Sequence, residues 1–239
     1  MNTFASAKEL KYRAKYHMAG RFGVAINAMI TIQLFLTGLS IMINIVCDKN
    51  SVSGMVLFYL LQILLSILSA LFTSGHCYLY LNICCNRPAD GSMVYYGFKN
   101  QPEKAILIQV YQALLYFAYM IPGMACAVLG IAMRQYGVLI AGGVLLILSG
   151  IAVMYFGLAF SQAFYLLHDF PNASAMELLK MSVKIMKGYK FKLLCLLLTF
   201  LPLMLFAFLS FGIGLLWVQP YMNAATAEFF LEVMRARES

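Results

Sequence analysis

Polar side chains that could bind or guide a solute recur along two apolar segments of this sequence. In the first segment they follow each other at steps of three and four residues, which places them on one face of an α-helix. The second segment repeats this stepping and adds one carboxylate. The candidate polar stripe consists of Gln62, Ser66, Ser69, Thr73, His76 and Tyr80 in the first segment and Gln219, Asn223, Thr226 and Glu228 in the second.

Two interpretations of this stripe are open. Another segment offers Gly150, Gly157, Ser161 and His168, so three polar faces could line a central cavity. Alternatively, the polar groups join helices through interhelical hydrogen bonds, worth about 0.6 kcal/mol each on average. Glu228 could couple transport to protons, because an acid inside a membrane is costly, or it could pair with a lysine near the membrane surface.

The remaining reactive side chains form no catalytic or metal-binding motif. The six cysteines contain no CxxC pair, and His17, His76 and His168 lack the spacing of metal ligands. No glycine-rich phosphate loop and no GxSxG motif occurs. We therefore expect a protein without enzymatic activity, cofactor or metal.

The composition predicts an all-α membrane protein. Hydrophobic residues make up 63% of the chain and charged residues 11%, and the mean hydropathy is +0.83. Runs of about 20 apolar residues or more are long enough to cross a bilayer. The predicted transmembrane helices cover about 23 to 46, 54 to 85, 104 to 132, 137 to 167, 190 to 210 and 213 to 234.

Basic residues predict the orientation of these six helices. Of the 17 lysine and arginine residues, only Lys49 and Arg134 fall on one side of the predicted membrane. Because basic loops stay in the cytoplasm, we expect both termini inside a bacterial cell membrane. The other basic residues then form a collar facing anionic lipid of the inner leaflet. This arrangement argues against nucleic acid as the partner, and protein partners stay unknown.

Two charged segments of the chain resemble each other. The segments 6–20 and 174–188 both begin with Ser-x-x-Glu and end with glycine, as expected for a capped helix with a left-handed stop. Each has apolar residues on one side and lysines on the other, which predicts a helix lying on the membrane surface. The candidate contacts to anionic lipid are Lys8, Lys11, Lys15, Lys180, Lys184 and Lys187.

A third, weaker copy follows Pro88, as the second copy follows Pro171. We therefore predict a single membrane domain, 1–239, of three repeats of an interfacial amphipathic helix and a two-span hairpin. The units cover approximately 1–86, 87–170 and 171–239.

Several short motifs resemble the bacterial integral-membrane family known as domain of unknown function 975. They are Glu9-Leu10-Lys11, Gly97-Phe98-Lys99, Met186-Lys187-Gly188, Gly212-Ile213-Gly214-Leu215-Leu216-Trp217, Pro220-Tyr221-Met222 and Phe229-Phe230. Residue 230 is phenylalanine where the family pattern leads us to expect tyrosine. The resemblance implies a multispan protein of Gram-positive bacteria and no established activity.

Two functions remain in competition on these grounds. The first is a non-enzymatic bundle that associates with lipid, or organises a partner, through its basic cytoplasmic collar. The alternative is a transporter of a small molecule or lipid, with a polar cavity lined by the second, fourth and sixth spans. Dry packing of the polar stripe would favour the first function, and a polar cavity open to one side would favour the second.

Overall fold

The chain folds into helices joined by short turns. The computed structural model describes residues 4–238, and no β-strand occurs among them. A 3-10 helix, Gly91–Tyr95, directly precedes the fourth α-helix. The α-helices are α1 (Ala7–Met18), α2 (Phe22–Val46), α3 (Val52–Cys84), α4 (Tyr96–Lys99), α5 (Pro102–Ala132), α6 (Tyr136–Phe160), α7 (Ala163–Asp169), α8 (Ala175–Ile185), α9 (Lys190–Leu198), α10 (Leu201–Leu209) and α11 (Leu215–Glu238).

Five stretches of helix are long and apolar enough to cross a membrane. They are α2, α3, α5, the stretch Tyr136–Asp169 of α6 and α7, and the stretch Lys190–Leu209 of α9 and α10. These stretches agree with the first five predicted spans to within a few residues. The predicted class, an all-α membrane protein, is therefore confirmed at this level.

The sixth predicted span coincides with α11, which is not among those five stretches. Its 24 residues would reach about 36 Å at 1.5 Å per residue, which exceeds a hydrocarbon core of about 30 Å. Its polar residues, among them Gln219, Asn223, Glu228 and Glu232, lower its hydropathy. A sixth crossing therefore stays a prediction.

Helix α8 begins with the predicted capping box. The Ser174 amide donates to the Glu177 carboxylate at 2.8 Å, and the Glu177 amide donates to the Ser174 hydroxyl at 3.3 Å. The hydrogen bonds from Ser174 lower the pKa of Glu177, because they stabilise the charged carboxylate. Each partner thus satisfies a helix-end amide that would otherwise lack an acceptor.

Helix α1 has only half of this box. The Glu9 amide donates to the Ser6 hydroxyl at 3.3 Å, but the Glu9 carboxylate pairs with Arg13 one turn later. The reciprocal bond to the cap is therefore replaced by a salt bridge along the helix.

A residue with positive φ separates each short segment from the long helix that follows. Gly20 after α1 has φ of 76° and Gly188 after α8 has φ of 88°, and Gln101 takes this position after α4 with φ of 52°. The two glycines confirm the predicted helix stops. The segment before Gln101 is a 3-10 helix and one α-helical turn, so the third copy is much shorter than the other two.

The short segments pack in a regular order. The segment formed by the 3-10 helix and α4 lies on α3, and α8 lies on α7, so each packs on the long helix that precedes it in the chain. Helix α1 has no preceding helix and packs on α11, the last one. The first and last elements of the chain are therefore neighbours.

Buried side chains concentrate at one end of the bundle, called here the packed end. It contains the short segments, the last turns of α3, α7 and α11, and the first turns of α2, α5 and α9. At the opposite, open end large apolar side chains such as Ile45, Tyr136 and Phe211 are exposed. Both ends of the described chain lie at the packed end, since Phe4 contacts Phe229 and Arg237 contacts Lys187.

Two glycines let the third segment approach α3 closely. A Cβ atom on Gly75 would lie 2.0 Å from the Val94 carbonyl oxygen, and one on Gly97 would lie 2.2 Å from the Leu71 carbonyl oxygen. Both neighbours are backbone atoms, so the clash cannot be relieved by rotating a side chain. The packing of this segment on α3 therefore requires glycine at both positions.

We expect Gly75→Ala to destabilise the protein by about 1–3 kcal/mol, because the new methyl group must displace the backbone at Val94. Gly38→Ala is the matched control, since Gly38 also lies inside a long helix but a Cβ there would meet no atom within 4 Å. Thermal unfolding in detergent should show a lower midpoint for Gly75→Ala alone. Equal midpoints for both variants would contradict the close packing.

Candidate functional site

The first half of the polar stripe forms hydrogen bonds within its own helix. The hydroxyls of Ser66, Ser69 and Thr73 donate to the carbonyls of Ile63, Ser66 and Ser69 at 2.7 to 2.8 Å. Ser66 and Thr73 are exposed on α3, and Gln62 is half-buried. These hydroxyls are therefore satisfied without water, a solute or another helix.

The second half of the stripe turns into the packed end. Tyr80 is buried, and its ring lies 5.0 Å from the His76 ring. The Tyr80 hydroxyl lies close to Asn223 of α11 but forms no well-oriented hydrogen bond, and His76 Nε2 is also buried without a partner in the described chain. Helices α3 and α11 thus bring Tyr80 and Asn223 together.

The rest of the α11 stripe does not share one environment. Gln219 is exposed, and Thr226 donates to the Met222 carbonyl of its own helix at 2.9 Å. In the predicted fourth span, Ser161 likewise donates to Leu158 at 2.8 Å, and His168 Nε2 lies 2.9 Å from the Ser74 carbonyl oxygen of α3. The stripe residues therefore form several local contacts.

The described cavities also lie away from the stripe. Four of them are lined by other side chains: three lie between a short segment and a long helix at the packed end, and one lies on the outer surface of α5. None of these four includes a residue of the predicted stripe.

Glu228 is buried against α1. Its side chain is 3% exposed, and its Oε1 atom lies 3.6 Å from Nε2 of His17. The Cys84 thiol of α3 lies beside the same carboxylate. From the sequence, we expected Glu228 either to pair with a lysine or to act within the membrane. In the structure its neighbour is instead His17 of α1.

Glu232, one turn further along α11, is a hydrogen-bonding centre that the sequence reading missed. Its Oε2 atom accepts from Arg13 at 2.9 Å and lies 3.6 Å from Arg235 Nη1, and its Oε1 atom accepts from the Ala5 amide at 3.0 Å. The carboxylate therefore ties both the N-terminal segment and α1 to α11.

A sequence signal for this contact exists in the spacing. Arg13 and His17 are four residues apart on α1, and Glu228 and Glu232 are four residues apart on α11. Two basic groups on one helix face thus match two acids on another. The spacing predicts these ion pairs only once α1 is known to lie on α11.

The predicted lipid-contacting lysines differ in exposure. Lys8, Lys15, Lys180, Lys184 and Lys187 are exposed. Lys11 is half-buried: its ammonium donates to the Thr199 carbonyl at 3.1 Å and lies 4.4 Å above the Phe200 ring. Lys11 therefore has partners within the protein, and the other five point their charge to the surroundings.

Other basic side chains bind carbonyl oxygens at helix ends. Arg21 donates to the carbonyl oxygens of Ile83, in the last turn of α3, and of Arg87, just after that helix. At the end of α8, Arg237 donates to the carbonyl oxygens of Lys184, Ile185 and Lys187. The carbonyls of Ile83, Lys184 and Ile185 lie in the last turn of their helices, where the regular i+4 amides run out, and a positive charge is favourable at the C-terminal end of a helix. The two arginines therefore stabilise the packed end.

Within residues 4–238, no group of three or more histidine, cysteine, aspartate or glutamate side chains could hold a metal ion.

The fold and these contacts define an all-helical membrane protein in which ion pairs and hydrogen bonds join helices at one end of the bundle. The chain belongs to the family described as protein of unknown function (DUF975), whose model matches residues 1–237. The resemblance seen in the short motifs is thus confirmed. Searches of the curated proteins and of the solved structures found no match to this chain.

We expect Glu232→Gln to destabilise the protein by about 1–3 kcal/mol, because a charged hydrogen-bond acceptor of Arg13 and of the Ala5 amide is lost. Glu9→Gln is the control: it removes the exposed partner of the same Arg13 and should cost at most about 1 kcal/mol. Unfolding titrations in mixed micelles measure both values. An equal loss in the two variants would contradict the central role of Glu232.

Proposed function

We propose that this protein is a non-enzymatic membrane bundle that associates with anionic lipid through a basic collar at its packed end. The single observation that carries the proposal is the exposure of Lys8, Lys15, Lys180, Lys184 and Lys187, which lie on the short helices α1 and α8 or directly after α8. A lysine close to an anionic membrane surface contributes about 1 kcal/mol of binding free energy. Several such residues on one face make lipid the natural partner.

The proposal includes six crossings. Helix α11 begins beside the open end of α10, where a Cβ atom on Gly214 would lie 2.8 Å from Ala207, and it ends at the packed end beside Lys187. It thus runs back along the length that α9 and α10 cover. A chain with an even number of crossings would bring both ends to one side, as the contact between Phe4 and Phe229 supports.

We further propose that the chain consists of three units related by an axis along the membrane normal. The order of packing supports this arrangement: each short segment lies on the last long helix of the preceding unit, and α1 on α11 closes the ring. The three left-handed residues Gly20, Gln101 and Gly188 occupy equivalent positions.

The packed end is placed at the cytoplasmic side of a bacterial cell membrane in this proposal. The short segments and the last turn of α11 carry most of the basic residues, whereas Lys49 and Arg134 lie in turns at the open end. Basic residues are retained in the cytoplasm during insertion. Both termini would then be cytoplasmic.

We expect anionic phospholipid to purify with the protein and to decrease in amount when Lys8, Lys15, Lys184 and Lys187 are all replaced by glutamine. None of these four lysines forms a salt bridge with a side chain of the described protein. Folding should therefore be preserved. Mass spectrometry of lipid extracted from the purified protein gives the ratio of phosphatidylglycerol to protein. Lys49→Gln with Arg134→Gln is the control at the open end. Unchanged lipid in the fourfold variant would overturn the proposed collar.

A transporter is the second candidate function, and one observation favours it. The buried polar atoms His76 Nε2, Tyr80 Oη and Glu228 Oε1 have no hydrogen-bond partner within the described chain. Buried polar groups are normally satisfied, by protein or by water. A water-filled path from the packed end would satisfy these atoms.

Water accessibility separates the two functions. We place single cysteines at positions 69, 76 and 223 in a cysteine-free chain and treat inside-out vesicles with a membrane-impermeant thiol reagent. The bundle proposal expects protection at all three positions, because the stripe packs against protein or lipid, and labelling of a control cysteine at the exposed position 180. Labelling that extends to position 69 would instead establish an aqueous path and favour the transporter.

A further inference from the structure

A cleft opens at the packed end between α8 and the preceding hairpin of α5 and α6. Its volume is about 370 Å³. Leu179 and Val183 of α8 form one wall, and Tyr111 and Leu115 of α5 form the other. Lys180 is the one charged side chain among its lining residues, so we call this cleft the Lys180 cleft.

The Lys180 cleft is apolar below its mouth. Leu179 is 4% exposed and Phe160 is 9% exposed, so both form a closed floor. Tyr111 and Leu115 are one turn apart on α5, and the lining residues of α8 run from Met176 to Val183. At 1.5 Å per residue these walls are about 6 Å and about 10 Å long. The apolar walls therefore fit the part of an acyl chain that lies next to the headgroup.

The charge at the mouth fits an anionic headgroup. Lys180 is exposed and has no ion-pair partner among the described residues. The carboxylate of the nearest acid on its helix, Glu177, accepts a hydrogen bond from the Ser174 amide. Lys180 itself and Lys104 of α5 both interact with the Glu177 carboxylate, and the Lys104 ammonium donates to the Pro171 carbonyl oxygen. The two lysines and the one carboxylate leave one net positive charge beside the mouth, which favours a phosphate on Lys180.

Two other clefts lie between a short segment and a long helix, and neither combines these features. In the cleft between α1 and α9, the Lys192 ammonium already lies 4.2 Å from the Phe4 ring and 5.1 Å from the Tyr189 ring. The cleft between α2 and the 3-10 helix is lined by Asn27 and Asp90 and contains no basic residue. Of these three clefts, the Lys180 cleft is the one that combines apolar walls with an exposed basic side chain at its mouth.

We propose that the Lys180 cleft binds one anionic phospholipid, with an acyl chain between α5 and α8 and the headgroup phosphate on Lys180. This inference rests on the proposed function, because the cleft meets lipid only if α5 and α6 cross the membrane with α8 at its surface. It goes further in naming one lipid at one site instead of a collective attraction to the collar.

A tryptophan inside the cleft can report the lipid that occupies it. The chain has one tryptophan, Trp217, which is replaced by phenylalanine before Leu115→Trp is introduced. The full-length protein is then placed in phosphatidylcholine bilayers that contain an equal fraction of either brominated phosphatidylglycerol or brominated phosphatidylcholine. Bromine quenches tryptophan on contact, so the ratio of the two quenching constants measures the preference at this site.

We expect Leu115→Trp to prefer phosphatidylglycerol about fivefold, the factor that one lysine contributes at an anionic surface. Adding Lys180→Gln should reduce the preference to about one. Adding Lys184→Gln, one turn along α8 and outside the cleft lining, should leave it unchanged. Leu114→Trp is the matched reporter at the same depth, since Leu114 is 61% exposed to the surroundings, and it should show no preference.

Other results would overturn the inference. Equal quenching of Leu115→Trp by the two lipids would exclude a specific site, and an equal loss in Lys180→Gln and Lys184→Gln would mean a collective surface effect. Either result leaves the proposed collar intact if anionic lipid still decreases in the fourfold lysine variant, in which Lys180 is kept. If Leu115→Trp does not fold, Val183→Trp on the opposite wall replaces it as the reporter.

Discussion

The contact between the first and the last helix determines how the rest of the bundle is arranged. Glu232 of α11 accepts hydrogen bonds from Arg13 and from the Ala5 amide, and Phe4 packs on Phe229 and Tyr189. Removing an acid from water costs free energy unless hydrogen bonds compensate, and Glu232 has such partners. This contact holds α1 over α11 and joins both ends of the chain to the start of α9.

The packed end and the open end follow from different surroundings. Long apolar helices need no partner where lipid surrounds them, because lipid tails are as apolar as leucine side chains. The short segments are amphipathic, so their apolar faces require protein beneath them: Leu10, Met18, Leu178 and Met186 are almost fully buried. Basic side chains also satisfy helix-end carbonyls there, as Arg21 and Arg237 do. Tertiary packing is therefore concentrated at the packed end, where the short segments lie.

Some of the candidate site could be predicted from sequence and some could not. The spacing of Gln62 to Tyr80 predicted six polar residues on one helix face, but it did not indicate that three hydroxyls bond to their own backbone. For Glu228 the pattern left open an intramembrane role or a lysine partner. Its neighbour, His17, lies in a segment far away in the chain. In α8 both Leu178 and Leu179 are buried, because the helix contacts α5, α6 and α7, and the sequence pattern did not identify these neighbours.

The sequence by itself determined the features that depend on neighbouring residues: the long apolar helices, the capping serines Ser6 and Ser174, and the left-handed stops at Gly20 and Gly188. Such features arise from hydropathy and from hydrogen bonds within one or two turns, so a local pattern is sufficient to predict them. Only the tertiary structure decided which helices each short segment covers, which acid meets which base, and where a cleft remains beside Lys180. These contacts join residues that are distant in the chain, and their energies depend on burial that no local pattern encodes.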